Sequence, residues 1–383
     1  MGSLLDLTKE IIYLSDFIPV NEPDLTGNEK KYLQECIDTG WISSEGPFLE
    51  RLESGLCEQT GRKYSFAVCN GSAALELAVK AIGVKPGDEI IMPTFTIISC
   101  ALAVIRAGAV PVYVDADLET WNMKVENIEG LITEKTKAIM VVHIYGLTVD
   151  MDPLLRIAKK YNLKVIEDAA EVIGQTYKDK PCGSFGDVST FSFYPNKHIT
   201  TGEGGMVLTD DPVIAERSYS LRNLCFGKTD RFIHEDQGWN FRMSNLQAAV
   251  GVAQLERLSL TIMKKREIGK IYQEELSDIK DFTLPLIRTE YCENVYWVFG
   301  IVSNDPKKDA NWWMHRLNEK GIGTRSFFYP MHLQQSLDSQ SSYGEEKLTN
   351  SAFLAKNGFY LPSGVNLNQG VIKYIVKVIS EFL

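Results

Sequence analysis

The order of patterns along this chain predicts an α/β fold: a large unit on a mostly parallel sheet, followed by a smaller C-terminal α+β unit. From about residue 64, short β-rich runs alternate with helical patterns, the order that builds βαβ units. The runs are apolar enough to be buried between helices on both faces. Beyond about residue 260 the alternation gives way to a charged helical stretch and isolated strands.

The strand runs are 65–69, 89–92, 110–114, 137–144 and 163–166, and the helical patterns among them include 72–82, 98–107 and 153–161. Ligands of such a sheet sit beyond the carboxyl ends of its strands. Two more strand-like runs, 188–193 and 206–209, flank a glycine-rich loop, and 245–257 reads as an amphipathic helix. The stretch 258–280 is helical and charged; then come Pro285, a strand at 296–302, a helix around 309–320 and the aromatic run 327–330. These changes of texture divide the chain into a large domain at 16–260 and a small one at 261–383.

With 44% hydrophobic and 23% charged residues among 383, neither general disorder nor a fibrous repeat fits. A net charge of -10 argues against non-specific binding to nucleic acid, which needs a basic face for the phosphates. No apolar stretch approaches the roughly 18 residues of a membrane span, and the first residues lack a basic, then apolar leader. A cytoplasmic location follows as the expectation, with no membrane partner. The seven cysteines are scattered, odd in number and without a CxxC pair, so free thiols are expected rather than disulfides or a metal site.

Three segments carry chemistry. In Ser192-Phe-Tyr-Pro-Asn-Lys197-His-Ile-Thr-Thr-Gly-Glu-Gly-Gly205, a lysine follows a strand ending in aromatics, and the glycines let the chain turn back closely behind it. A lysine held there, its pKa lowered by burial, could form a Schiff base; it could equally be an exposed loop residue. In Val165-Ile-Glu-Asp168-Ala-Ala-Glu171, an apolar strand ends in an acid 29 positions before that lysine. Asp168 could bond the pyridine nitrogen of pyridoxal phosphate, or serve as a helix N-cap. Third, the first strand runs into Asn70-Gly-Ser72, which opens a helix whose amides could hold a phosphate or could simply start the helix. A nicotinamide site is poorly supported, because Gly321-Ile-Gly323-Thr-Arg-Ser lacks a third glycine.

Taken in this order, lysine, aspartate and phosphate turn make the chain resemble the DegT/DnrJ/EryC1/StrS sugar aminotransferases over nearly its full length, residues 1–15 appearing extra. The resemblance implies a type I pyridoxal-phosphate fold, that of aspartate aminotransferase, with a mostly parallel mixed sheet. Trp41-Ile-Ser-Ser, His143-Ile-Tyr-Gly and Gly238-Trp-Asn-Phe-Arg-Met look most like members that aminate C4 of a GDP-linked 4-keto-6-deoxymannose with glutamate as donor. By matching position, Lys197 is the lysine that bonds the cofactor and Asp168 the partner of its ring nitrogen. Gly71, Ser72 and Ser192 hold its phosphate, with Glu171 nearby. Asn240 matches a residue given to the neighbouring subunit's phosphate site, which implies a homodimer. Arg242, Arg325, His332 and His198 are the candidate substrate contacts, and ordinary surface or packing roles fit Arg325 and His332 equally well. Many members carry an aromatic on the cofactor ring where this chain has Ile97, so either Ile97 or Phe95 must cover that face. A dehydratase branch replaces the lysine with histidine; Lys197 is present here, which favours amino transfer. Alternatives carried with this reading are a UDP- or dTDP-linked keto sugar, a small phosphorylated ketone, and a non-catalytic member that binds cofactor or sugar as a regulator.

Overall fold

A computed structural model describes residues 17–227, 229–337 and 348–383; residues 1–15, set apart above as extra, lie outside them. Two helices come first, α1 (Glu29–Thr39) and α2 (Pro47–Thr60). Helix α1 buries only Glu29, Tyr32 and Cys36, a stripe too sparse to stand out in the sequence. Then the alternation begins: β1 (Tyr64–Val68), α3 (Gly71–Ala81), β2 (Glu89–Pro93), α4 (Ile98–Arg106), β3 (Val110–Val114), β4 (Thr136–Val142), α5 (Met151–Lys160) and β5 (Lys164–Asp168). A short hairpin, β6 (Thr176–Tyr177) and β7 (Lys180–Pro181), precedes β8 (Val188–Ser192) and β9 (Gly205–Thr209). Helices α6 (Pro212–Arg222), α7 (Asn245–Leu255) and α8 (Leu258–Leu276) follow.

The main sheet has seven strands in the order β1-β9-β8-β5-β4-β2-β3. Its pairs are parallel except where β9 meets β8 and β1. The reason for that reversal is local. Strands β8 and β9 are neighbours joined by the 193–204 loop, which carries no crossover helix, and β9 returns antiparallel to β8. Strand β1 therefore runs with β8, and the carboxyl ends of β1, β2, β4, β5 and β8 all reach one edge of the sheet.

Period-2 alternation sorts the side chains. Ala138, Met140, Val142 and Ile166 pack into the core beneath α3 and α4, whereas Ile139, Val141 and Val165 pack with Met151 and Leu154 of α5 on the other face. Asp168 shares the face of Ile166, and Glu167 takes the opposite one. There the buried Glu167 carboxylate accepts from Gly183 N at 2.7 Å and Phe185 N at 2.8 Å, with His143 Nε2 at 3.2 Å. It ties the loop between the hairpin and β8 to β5.

The C-terminal part holds a four-stranded antiparallel sheet in the order β10-β11-β13-β12, from β10 (Phe282–Thr283), β11 (Phe299–Ser303), β12 (Arg325–Ser326) and β13 (Gly358–Leu361). Helices α9 (Ala310–Glu319), α10 (Thr349–Asn357) and α11 (Gln369–Ser380) complete it. Strand β11 starts three residues later than the 296–302 pattern suggests, because Tyr296 has φ 46°, outside the strand region. The run 327–330 lies beyond β12 rather than within a strand. Residue Ile18 pairs with the C-terminal part: its amide donates to Gly321 O at 2.7 Å and its carbonyl accepts from Gly323 N at 2.8 Å. Among the described residues, no helix is long and apolar enough to cross a membrane.

Candidate active site

A cavity of about 650 Å³ opens where the carboxyl ends of β1, β5 and β8 meet the C-terminal part. Gly71, Ser72, Asp168, Glu171, Ser192, Lys197 and Arg325 all line it. Residues far apart in the chain are brought together by the sheet order.

Lys197 follows β8 in a tight loop: its amide donates to Tyr194 O at 2.9 Å, and the loop is pinned by Phe193 N donating to Gly204 O at 2.8 Å and Thr201 N to Phe193 O at 3.0 Å. Its side chain is only 10% exposed and its Nζ lies 3.6 Å from Glu171 Oε1. Burial lowers the pKa of the amine, opposed by the charges of Glu171 and Asp168. Burial likewise pushes the Glu171 carboxyl up to about 7, partly offset by Lys197 and by the amide of Tyr145, which donates to Glu171 Oε2 at 2.8 Å. Desolvation thus drives both members of the pair toward their neutral forms.

Asp168 ends β5 beneath this pair. One carboxylate oxygen accepts from Ala170 N at 3.0 Å and the other from the Cys100 thiol at 3.4 Å. Burial raises its pKa above the usual carboxylate range. A buried carboxylate whose donors are one amide and one weak thiol retains lone pairs for a charged N–H. Thr190 Oγ1, on the next strand and also lining the cavity, is buried without a partner among the described residues.

At the other end the amino terminus of α3 points into the cavity. Its N-cap is Asn70, whose side chain accepts from Ala73 N at 2.8 Å, leaving the first amides of the helix and its positive end for an anion. The hydroxyls of Ser72 and Ser99 meet at 2.8 Å, and Ser192 closes the turn. A Cβ on Gly71 would come within 2.7 Å of Ser192 Cβ, so only glycine permits this approach. An anion seat, a reactive amine and a buried acid, in that spatial order, fit the phosphate, aldehyde and ring nitrogen of pyridoxal phosphate.

Three candidate substrate contacts, His198, His332 and Arg242, lie outside this cavity, as does Asn240, expected to serve a neighbouring subunit. His198 points behind the loop, where its Nε2 faces Val295 O at 3.3 Å, because a residue adjacent to Lys197 in a tight turn projects the other way. Burial, reinforced by the nearby Lys265 charge, lowers its pKa to about 3. His332 is buried outside the cavity, its Nδ1 2.8 Å from Thr94 Oγ1. Asn240 and Arg242 pair with each other, Nε to Oδ1 at 2.8 Å, on a segment drawn to the outside of β1, where Cys69 N donates to Phe241 O at 2.8 Å. Arg242 there lines a separate surface groove. As for the ring-covering residue, Phe95 is fully buried against Tyr145, Phe327 and Phe328, while Ile97, 42% exposed, lines the cavity.

Sequence reasoning missed Ser99, Tyr194, Trp297 and Tyr360, which also line the cavity. Ser99 could have been found as a hydroxyl at a helix start beyond β2. Trp297 could not, since in the string it belongs to an apolar run that reads as core.

Comparison with known proteins agrees with this geometry. The chain is 41% identical over 368 residues to GDP-perosamine synthase of Escherichia coli O157:H7, covering 96% of this chain and 98% of that one. It is 38% identical to GDP-perosamine synthase of Vibrio cholerae, with 95% and 99% covered. Among solved structures, DesV of S. venezuelae superposes with a TM-score of 0.88 at 28% identity, over 96% of this chain and 99% of the other. Residues 23–380 match a single family, so this chain, with its amine, buried acid and anion seat, belongs to the DegT/DnrJ/EryC1/StrS aminotransferase family and is a pyridoxal-phosphate enzyme.

Proposed function

We propose that the protein transfers the amino group of L-glutamate to C4 of a GDP-linked 4-keto-6-deoxy sugar, as a GDP-perosamine synthase does, in the cytoplasm and for a surface glycan such as O-antigen. The observation that carries amino transfer is the enclosure of the Lys197 amine between Glu171 and the level of Asp168 in one cavity. The choice of sugar rests on the relatives named above. The reading includes a homodimer in which Asn240 and Arg242, turned away from their own chain's cavity, serve the neighbouring one. It also includes two domains meeting near residue 260, supported by a separate core that joins Ile268, Trp313, Phe359 and Ile375.

Pyridoxal phosphate, when bound, supplies an aldehyde for the donor amine and an electron-poor ring that stabilises a carbanion. The chain does the rest. The α3 amides with Ser72 and Ser192 would hold the phosphate, and Asp168 would keep the ring nitrogen protonated by accepting its N–H in a buried, charge-assisted bond. Ile97 excludes water from one side of the cavity. Lys197 Nζ, when free, would take the α-proton of glutamate as general base and in the return half-cycle would deliver a proton at C4 of the sugar. Such general acid–base transfer contributes on the order of 10²- to 10⁴-fold in rate. Glu171, beside Nζ, steadies the charge that the amine gains.

To test this reading, the purified chain is loaded with cofactor, reduced with borohydride and peptide-mapped, and separately incubated with glutamate and GDP-, UDP- or dTDP-linked 4-keto-6-deoxy sugars. The cofactor is expected on Lys197 and the amino sugar only, or by far fastest, from the GDP substrate. A label on any other lysine overturns the site, and preference for another nucleotide overturns the substrate.

A further inference from the structure

The Lys197 amine has a second neighbour that the proposed chemistry leaves unused. Its Nζ lies 3.6 Å from the centroid of the Trp297 ring, over the face of the indole. Trp297 is buried, and its Nε1 donates to Asn196 O at 2.8 Å, the residue just before the lysine. Ring and amine are therefore fixed to the same stretch of backbone. Tyr145 and Phe328 hold the indole from its sides, with ring centroids at 5.8 and 6.3 Å.

We propose that Trp297 is a positioning residue for Lys197: its π face is the resting place of the ammonium that forms when the freed lysine carries a proton. The inference rests on Lys197 being the reactive amine. The physics is direct. A cation over an indole face is attracted by the negative lobe of the ring quadrupole, most strongly when water is excluded. Burial by itself drives the amine toward its neutral form, and a neutral amine has no proton to deliver at the sugar carbon. Glu171 offsets this with a charge at one edge of the ammonium, while the indole offsets it from a whole face and prevents the four-carbon stem from swinging into the wider cavity. Transamination frees this lysine in every cycle, so a fixed parking position keeps Nζ within reach of each reacting carbon.

The other titratable groups around the amine are Glu171, Asp168 and Cys100 on the sheet side, His198 behind the loop, and Tyr194, Tyr360, Arg325 and Glu203 on the cavity wall. None of them is removed by changing the indole, which makes the protonation of Lys197 a clean readout. The experiment is competitive labelling of the cofactor-free full chain with limiting acetic anhydride across pH, the Lys197 peptide being quantified by mass spectrometry against exposed lysines. Trp297→Leu is expected to lower the labelling midpoint of Lys197 by about one pH unit, and Trp297→Phe, with its weaker π face, by less. An unchanged or raised midpoint in a leucine variant with unaltered circular dichroism overturns the proposal. If the leucine variant does not fold, the phenylalanine variant decides by the same criterion. Labelling requires neither cofactor nor turnover, so its failure leaves the borohydride test of Lys197 to stand or fall separately.

Discussion

Asp168 shows how a single side chain acquires its chemistry from where its strand ends. One residue earlier in β5 the Glu167 carboxylate is taken up by the amides of Gly183 and Phe185; at the carboxyl end Asp168 meets the cavity and keeps free lone pairs. Asp168→Ala is expected to lower kcat by on the order of 10²-fold or more, the scale on which one preorganised electrostatic partner acts, with the cofactor still bound through its phosphate. Stopped-flow of the glutamate half-reaction checks this, and near-normal turnover by the alanine variant would remove Asp168 from the mechanism. Glu171 differs in kind: it is paired with the amine itself at 3.6 Å, so its influence passes through Lys197.

At the scale of elements, the β1–α3 turn is where packing and binding meet. Helix α3 lies on β8 and β9 through Ala73, Ala74, Leu77 and Ala78, all buried, and the closeness of that contact brings Gly71 against Ser192. Gly71→Ala forces the two apart at the mouth of the phosphate seat. Overpacking of this kind costs about 1–3 kcal/mol. The variant is expected to unfold at lower urea concentration and to bind pyridoxal phosphate at least about tenfold more weakly, because the helix amides shift relative to Ser192. Unchanged cofactor affinity, followed by its visible absorbance on titration, would show that the phosphate sits elsewhere.

Across the whole molecule, several buried groups shape how stability responds to pH, two of them bases outside the Lys197 pair. Lys265 donates to Ser363 O at 2.6 Å from a site where burial lowers its pKa from 10.5 to about 7. Between those values the unfolded chain binds more protons than the folded one, so stability rises with pH across that window. His198, lowered from 6.5 to about 3, has the same sign in a lower window, its contribution to stability falling as pH drops from 6.5 toward 3, while Glu171, raised from 4.5 to about 7, has the opposite sign between those two values. The buried thiols of Cys100 and Cys182, raised above 9.0, work in the opposite direction only above that pH. Melting temperature is therefore expected to climb from about pH 7 to about pH 8.5, and Lys265→Met should flatten that climb. An equal slope in both proteins would assign the climb to other groups.

The alternation of patterns between residues 64 and 209 was legible because period-2 and period-3.6 spacing follows directly from burial of the strands and helices, and the parallel sheet came with it. Lys197, Asp168 and the Gly71-Ser72 turn were legible too, since each sits at a strand end marked by an abrupt change from apolar to polar or glycine residues. The family resemblance, rather than any pattern in the residues, singled out Ile97 and Phe95 as the candidates for covering the cofactor ring. What only the tertiary structure decided is direction: that His198 turns away beside Lys197, that His332 is spent on Thr94, that Asn240 and Arg242 face outward, and that an indole 100 residues downstream of the lysine lies against its amine. Direction depends on which strands become neighbours and how tightly each loop closes, and those are properties of the packed molecule that no local run of residues contains.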